Sequence, residues 1–167
     1  IVIVAGCGVH TDTHETARHN GIHRFFLSKN SHVVYKEKHI GTGEGDGTRS
    51  IDPVTEAFLE EGAVLEIESV QIKGVDSTNR KTKAVVGKDA KLIIRESLMT
   101  DGNQVANTEF EVELNGENSG TDLVSRSVAK GCSKQNYRSR IIGYAACTGH
   151  SECDAIIADK ATVNAAP

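Results

Sequence analysis

The sequence contains no tryptophan, and its aromatic residues are three tyrosines and four phenylalanines. A hydrophobic core must therefore be built mainly from aliphatic side chains. Glycoside chemistry needs two carboxylates that face one sugar, and proteins that perform it usually add aromatic platforms. The scarcity of aromatic residues thus argues against a carbohydrate-active enzyme, which is one alternative for a strand-rich chain.

The chain also lacks long apolar runs, blocks of like charge and paired cysteines. Its apolar start, Ile1–Ala5, is too short for a signal sequence or a membrane span. The net charge is −4 and neither end carries a block of one sign, which argues against nucleic acid as the main partner. Four cysteines at irregular spacing, without a CxxC pair, indicate reduced thiols in a cytoplasmic protein rather than a disulfide framework.

Only two prolines occur, so the sixteen glycines are expected to make most of the turns. The 167 residues are enough for one domain, which we predict to span residues 1–167. The chain begins without methionine and stops at Pro167 directly after strand-like residues, so we expect it to be a fragment of a longer protein.

Strand-like segments recur along most of the chain. Similar segments, each opened by a turn and a small residue, surround Val33, Leu65, Leu92, Leu123 and Cys153. Leu65, Leu92 and Leu123 are 27 and 31 residues apart. A loose period of about 30 residues without a convincing helix is typical of a repeat architecture.

Two all-β architectures fit this period. In an antiparallel meander, hairpins would join neighbouring strands, and Asn115–Gly116 would suit a hairpin turn. In a parallel β-solenoid, each period forms one coil, and equivalent strands stack on one another. The solenoid explains why similar segments return, but the residues alone leave both architectures open.

Three shorter stretches carry local expectations. Ile1–Ala5 is expected to be a buried strand that ends at Gly6-Cys7-Gly8. The glycine-rich segment 41–52 lacks the Lys-Ser/Thr of a phosphate-binding loop, so we expect a flexible surface loop. Pro53–Leu59 is expected to form a short turn of helix.

Four histidines follow one another at spacings of four, five and four residues: His10, His14, His19 and His23. This spacing suggests a zinc site, with Cys7 as a further ligand. We favour the alternative of a polar turn-and-strand region with solvated histidines, because Gly21 breaks any helix that would align the imidazoles.

The segment Cys147–Asp154 gathers thiols, an imidazole and carboxylates, a combination that suggests soft-metal or thiol chemistry. Cys153 is the main candidate, and His150 and Glu152 are the nearest candidate co-ligands for a metal. The alternative for Cys153 is a small buried hydrophobe, and for the other two a solvated turn. Cys147 and Cys132 lie in or beside turns and are expected to be surface thiols.

Four stretches of the chain resemble the core domain of the SufB/SufD family, most of all its short archaeal members. The Cys-Asp pair followed by small and aliphatic residues, at Cys153, is the most specific piece. The stretches are HRFFLSKNSHVVYKEKHIGTGEG (23–45), VQIKGVDSTNRKTKAVVG (70–87), FEVELNGENS (110–119) and GHSECDAIIADKATVNAAP (149–167).

The resemblance implies a right-handed parallel β-helix in a non-enzymatic scaffold for iron–sulfur cluster assembly. It implies a transient iron–sulfur cluster as cargo, a SufC-like ABC ATPase as partner, and a dimer with a SufB/SufD-type chain or with itself. It also implies that Cys153 takes part in building the cluster. The family's further ligands and its helical, ATPase-docking region would follow Pro167, so this chain is expected to bind a cluster weakly or not at all.

Three functions follow from these observations. The first is a SufB-like scaffold that carries the cluster, and the second is a purely structural SufD-like partner whose cysteines are incidental. The third is the carbohydrate-active enzyme, which the aromatic content disfavours. Anaerobic reconstitution with iron and sulfide separates the first two, because only the first predicts a chromophore that depends on Cys153.

Overall fold

The structure, a computed structural model, describes all 167 residues. No helix in it has the length and hydrophobicity needed to cross a membrane. The chain forms fourteen strands: β1 (Val2–His10), β2 (Ala17–His19), β3 (Ile22–Leu27), β4 (His32–Thr42), β5 (Arg49–Ile51), β6 (Val54–Leu59), β7 (Val64–Lys73), β8 (Ser77–Val86), β9 (Lys91–Thr100), β10 (Val105–Leu114), β11 (Gly120–Ala129), β12 (Lys134–Gly143), β13 (Thr148–Ile157) and β14 (Thr162–Ala166).

The strands form two parallel sheets that face each other across one core. The first sheet has the order β1-β4-β7-β9-β11-β13, and the second has the order β14-β12-β10-β8-β5-β2, with β3 and β6 continuing beside β8. Each turn of the chain adds one strand to the first sheet, so the molecule is a β-solenoid of about six turns. The solenoid prediction is confirmed, and the antiparallel meander is wrong.

The register between turns corrects part of the predicted repeat. Residues that pair at the same position in successive strands form a column. Leu123 lies two residues beyond the column that contains Leu92, and it pairs with Ile94. Cys153 lies four residues beyond that column and pairs with Ser125. Both shifts are even, so each side chain still points to the predicted side of its sheet. The column itself consists of Val33, Leu65, Leu92, Thr121 and Gly149.

Most corners between the strands contain a residue with positive φ. Glycine reaches this left-handed conformation without strain, and asparagine and aspartate tolerate it better than other residues. The segment with Asn115–Gly116 is therefore a corner between β10 and β11, not a hairpin. One corner carries Asn30, Gly62, Asp89 and Asn118, and the other carries Gly74, Gly102, Gly131 and Asp159.

The core consists mainly of aliphatic side chains, as the composition predicts. Leu65, Leu92 and Leu123 are fully buried, and burying such a side chain stabilises a fold by about 1.5–3 kcal/mol. In the second half of β10 the apolar side chains alternate with glutamates, so Phe110 faces the core and Glu111 faces outward. The few aromatic rings of the core pack edge to face, as in the pair Phe110–Tyr137.

Two local expectations about secondary structure were wrong. Val54–Leu59 is a strand, β6, because Thr55, Ala57 and Leu59 are buried on one face with period two and the strand pairs with β3 and β8. The first strand continues through Gly6-Cys7-Gly8 to His10. Its start is exposed rather than buried, since the first strand of the sheet has a neighbour, β4, on one side only.

The glycine-rich segment packs against the preceding turn and is not a free surface loop. The backbone N–H of Gly45 donates to the carbonyl of Thr11 at 3.1 Å, and that of Gly47 donates to Thr13 at 3.0 Å. A Cβ atom at Gly45 would lie 2.3 Å from the Thr13 backbone, so only glycine permits this close approach. The expectation of a flexible loop was wrong because the two backbones stack directly on each other.

Candidate functional site

Cys153 faces the inside of the solenoid on the last strand of the first sheet. It pairs with Ser125, which pairs with Glu96 on the next strand, and both of these side chains are buried. Cys153 itself is partly buried and packs against the hydrophobic core. The sulfur therefore lies at the end of a core column that is polar rather than aliphatic.

His150 and Glu152 lie on the opposite, outward face of β13. His150 Nδ1 is 2.8 Å from Asp122 Oδ1, and its Nε2 is 3.8 Å from Glu152 Oε2. Glu152 is also 3.6 Å from the guanidinium of Arg126. The structure thus brings His150 and Glu152 together but separates them from Cys153, since alternate residues of a strand point to opposite faces. Their role as co-ligands of Cys153 stays a prediction.

The surroundings of Cys153 keep its thiol protonated. Burial, and then the negative charges of Glu96 and Asp154, raise the pKa of Cys153 above its ordinary value of 9.0. A thiol with a raised pKa is a poor nucleophile at neutral pH. A soft metal would have to displace this proton in order to bind the sulfur.

The other two cysteines near the end of the chain do not join Cys153. Cys147 precedes β13 and is six residues away along an extended chain, which is roughly 20 Å. It is partly buried against the core, so the expectation of a surface thiol was wrong for this residue. Cys132 is exposed at a corner, as predicted.

Behind Cys153, a buried ion pair crosses the core between the two sheets. Arg80 on β8 forms an ion pair with Glu96 on β9, and the side chains are 7% and 1% exposed. Glu96 also accepts hydrogen bonds from Thr108 Oγ1 at 3.1 Å and from Ser125 Oγ at 2.6 Å. Arg80 donates from Nη2 to His39 Nδ1 at 2.9 Å. This network satisfies two charges that would otherwise be costly to bury.

Sequence reasoning missed this network, although a signal for it exists. On β9 the inward residues alternate, and Glu96 occupies an inward position between Ile94 and Leu98. A charged residue at an apolar position of a period-two pattern indicates a buried polar group with a partner.

Comparison with known proteins gives a match over nearly the whole chain. Residues 2–166 match the family model described as "SUF system FeS cluster assembly, SufBD core domain". The chain belongs to the SufBD family. An iron-sulfur cluster assembly SufBD family protein from Archaeoglobus fulgidus is 29% identical over 167 residues, and the match covers 99% of this chain and 43% of that relative. The chain therefore spans less than half the length of the curated relative that it matches.

Membership of the SufBD family connects this chain to iron–sulfur cluster assembly. The resemblance identified from the sequence is therefore confirmed, with a match that covers nearly every residue. In the geometry of this SufBD core, Cys153 is the inward-facing thiol of the final turn.

This SufBD core also contains a second group of candidate ligands, at its first two turns. Cys7 Sγ lies 3.5 Å from Glu37 Oε1, and His23 Nδ1 lies 3.5 Å from the same oxygen. Of the four histidines considered for zinc, only His23 joins this group. The other three have exposed side chains or lie outside it, and His10 pairs with Asp12 at 2.9 Å.

The pKa values of this group reflect its burial. Burial, then the charge of Glu37 and a hydrogen bond to it, raise the pKa of Cys7 to about 11. Burial alone would raise the pKa of Glu37, but His39, His23 and the Cys7 hydrogen bond outweigh it and lower that pKa to about 2. At neutral pH the group is therefore a neutral thiol beside a buried carboxylate.

Proposed function

We propose that this SufBD chain is the core of a scaffold subunit that holds a transient iron–sulfur cluster during assembly, with the Cys153 thiolate as one ligand. The observation that carries the proposal is the position of Cys153. Its sulfur faces inward on the last turn, next to the polar column of Ser125 and Glu96, and is only partly buried. Thiolates are the usual protein ligands of iron–sulfur clusters.

The proposed role is non-enzymatic and places this chain in the cytoplasm with a SufC-like ABC ATPase as partner. Family membership supports this partner, because the matched domain is described as part of the SUF system. A cluster needs about four ligands, and Cys153 belongs to no group of three or more His, Cys, Asp and Glu side chains whose ligand atoms lie close together. The remaining ligands are proposed to come from outside residues 1–167, in the full-length protein or a partner.

The test is anaerobic reconstitution of the full-length protein, in complex with its ATPase partner, with iron and sulfide. Cys153→Ser keeps the size of the side chain but removes the soft ligand, so we expect the absorbance of the cluster and the bound iron to fall at least tenfold. Circular dichroism is expected to stay unchanged. Cys147→Ser is the matched control because Cys147 is also partly buried, and Cys132→Ser is an exposed control. Both are expected to reconstitute as the parent protein does.

A second function, a SufD-like support subunit that holds no cluster, is favoured by the raised pKa of Cys153 and by the outward position of His150 and Glu152. If Cys153→Ser reconstitutes as well as the parent, the scaffold proposal fails and Cys153 is a packing residue. The chain would then be assigned the support role.

We also propose that the last turn contacts a second chain, either a SufB/SufD-type partner or another copy. Ile156 and Ile157 are 67% and 52% exposed on opposite faces of β13, which is the edge strand of the first sheet, and an exposed edge invites pairing with another chain. Light scattering of the full-length protein is expected to give the mass of a dimer, and Ile156→Lys is expected to shift it toward the monomer. A monomeric parent at micromolar concentration would contradict this arrangement.

A further inference from the structure

Three side chains from three strands converge inside the first two turns, far from Cys153. Cys7 lies on β1, His23 on β3 and Glu37 on β4, so the group joins both sheets of the solenoid. One ligand atom from each residue lies within 4.8 Å of the others. Cys7 and Cys153 belong to strands five sheet spacings apart, which is about 24 Å.

Two of the three separations within this group match those of a tetrahedral metal site. Ligand bonds of about 2.0–2.3 Å at a tetrahedral angle place two ligand atoms about 3.3–3.8 Å apart. Cys7 Sγ to Glu37 Oε1 and His23 Nδ1 to Glu37 Oε1 are both 3.5 Å. The Glu37 carboxylate is therefore spaced from both Cys7 and His23 as two ligands of one ion would be.

A fully buried histidine beside the group supports the same interpretation. The His39 side chain is 0% exposed, and its Nδ1 accepts from the Arg80 guanidinium at 2.9 Å, so Nε2 carries the proton. This Nε2 lies 3.1 Å from Glu37 Oε1 but is not aligned with it and has no hydrogen-bond partner. A buried N–H without a partner is unfavourable. His39 is thus placed to contact the Glu37 carboxylate from outside the group.

We propose that Cys7, His23 and Glu37 form a site for a single divalent transition metal of the Zn²⁺ or Fe²⁺ class. Sulfur, imidazole nitrogen and one carboxylate oxygen are ligands that these ions share, whereas Mg²⁺ and Ca²⁺ take oxygen ligands. Three protein ligands leave the fourth position for water or an incoming ligand. His39 acts as an outer partner that orients the Glu37 carboxylate, and binding releases the thiol proton to solvent.

The site is independent of the proposed cluster ligand, because it uses other residues at the other end of the solenoid. It also differs from the zinc site suggested by the histidine spacing. His14 pairs with Asp46 on the surface and its side chain is 93% exposed, so it serves as a control.

The test is anaerobic titration of the metal-free, purified full-length protein with Co²⁺, which reports thiolate ligation by a charge-transfer band. We expect one equivalent to bind per chain with this band, and an excess of Zn²⁺ to abolish it. Cys7→Ser is expected to remove the band. His23→Gln is expected to weaken Co²⁺ binding by at least about 100-fold, because losing a direct ligand costs more than losing a residue that only orients a ligand. Cys132→Ser, Cys153→Ser and His14→Gln are expected to bind as the parent does.

X-ray absorption at the zinc edge of the parent protein gives a second readout that does not depend on any variant folding. We expect one sulfur and two or three nitrogen or oxygen neighbours. A parent that binds no Co²⁺ at equimolar concentration, a zinc shell without sulfur, or a folded Cys7→Ser variant with the charge-transfer band intact would each overturn the proposal. Because Cys153→Ser leaves this site unchanged, failure here is distinguishable from failure of the scaffold proposal.

Discussion

Replacing Arg80 by methionine is expected to lower the free energy of unfolding by about 3–5 kcal/mol, because it leaves the carboxylate of Glu96 buried without its cation. Thr108 and Ser125 still donate to Glu96, but two hydroxyl groups do not compensate a charge inside the core. Urea denaturation followed by circular dichroism measures the change.

A matched control separates the effect of burial from the loss of an arginine. Arg24 forms an ion pair with Glu56 at 2.6 Å on the surface, where its side chain is 56% exposed. Arg24→Met is expected to cost no more than about 1 kcal/mol. The double variant Arg80→Met/Glu96→Met is expected to recover most of the loss, since an apolar pair can replace a buried ion pair at little cost. If Arg80→Met costs no more than Arg24→Met, the pair does not stabilise the core.

Replacing Gly41 by alanine is expected to lower the free energy of unfolding by about 3 kcal/mol or more, because the added methyl group cannot be accommodated. Its Cβ would lie 1.7 Å from the carbonyl oxygen of Gly74. The obstacle is backbone, not a flexible side chain, so the two turns of the solenoid would have to move apart. The loss of stacking between β4 and β7 would spread to their neighbours.

Gly6→Ala is the control for this prediction. Gly6 also lies in a strand of the first sheet, and nothing is within 4 Å of the position that its Cβ would occupy. Its replacement is expected to change the free energy of unfolding by less than about 1 kcal/mol. Both changes in the free energy of unfolding are measured by urea denaturation. Equal effects of the two substitutions would show that the close approach of Gly41 to Gly74 does not cause the loss of stability.

Part of the candidate site follows from periodicity in the sequence. Strict alternation places Cys153 on one face of its strand and His150 and Glu152 on the other, and the structure has this arrangement. The same alternation places Glu96 among the inward residues of β9. Side chains in an extended strand have a period of two, so the face of each residue is a local property.

The alignment of one turn with the next could be predicted from the sequence for some turns only. Val33, Leu65 and Leu92 fall in one column, as expected from their similar preceding segments. Leu123 and Cys153 do not, because hydrogen bonding between whole strands sets the register and places Thr121 and Gly149 in that column instead.

The sequence by itself determined that this chain is a strand-rich repeat of the SufBD type, and that Cys153 shares one face of its strand with Ala155 and Ile157 while Glu152 lies on the other. These properties depend on neighbours two residues apart or on a motif within one strand. Only the tertiary structure decided that Cys7, His23 and Glu37 meet, and that Arg80 reaches Glu96 across the core. Such contacts join different sheets and different turns, so they depend on corner lengths and on the register of stacked strands, which no local pattern specifies.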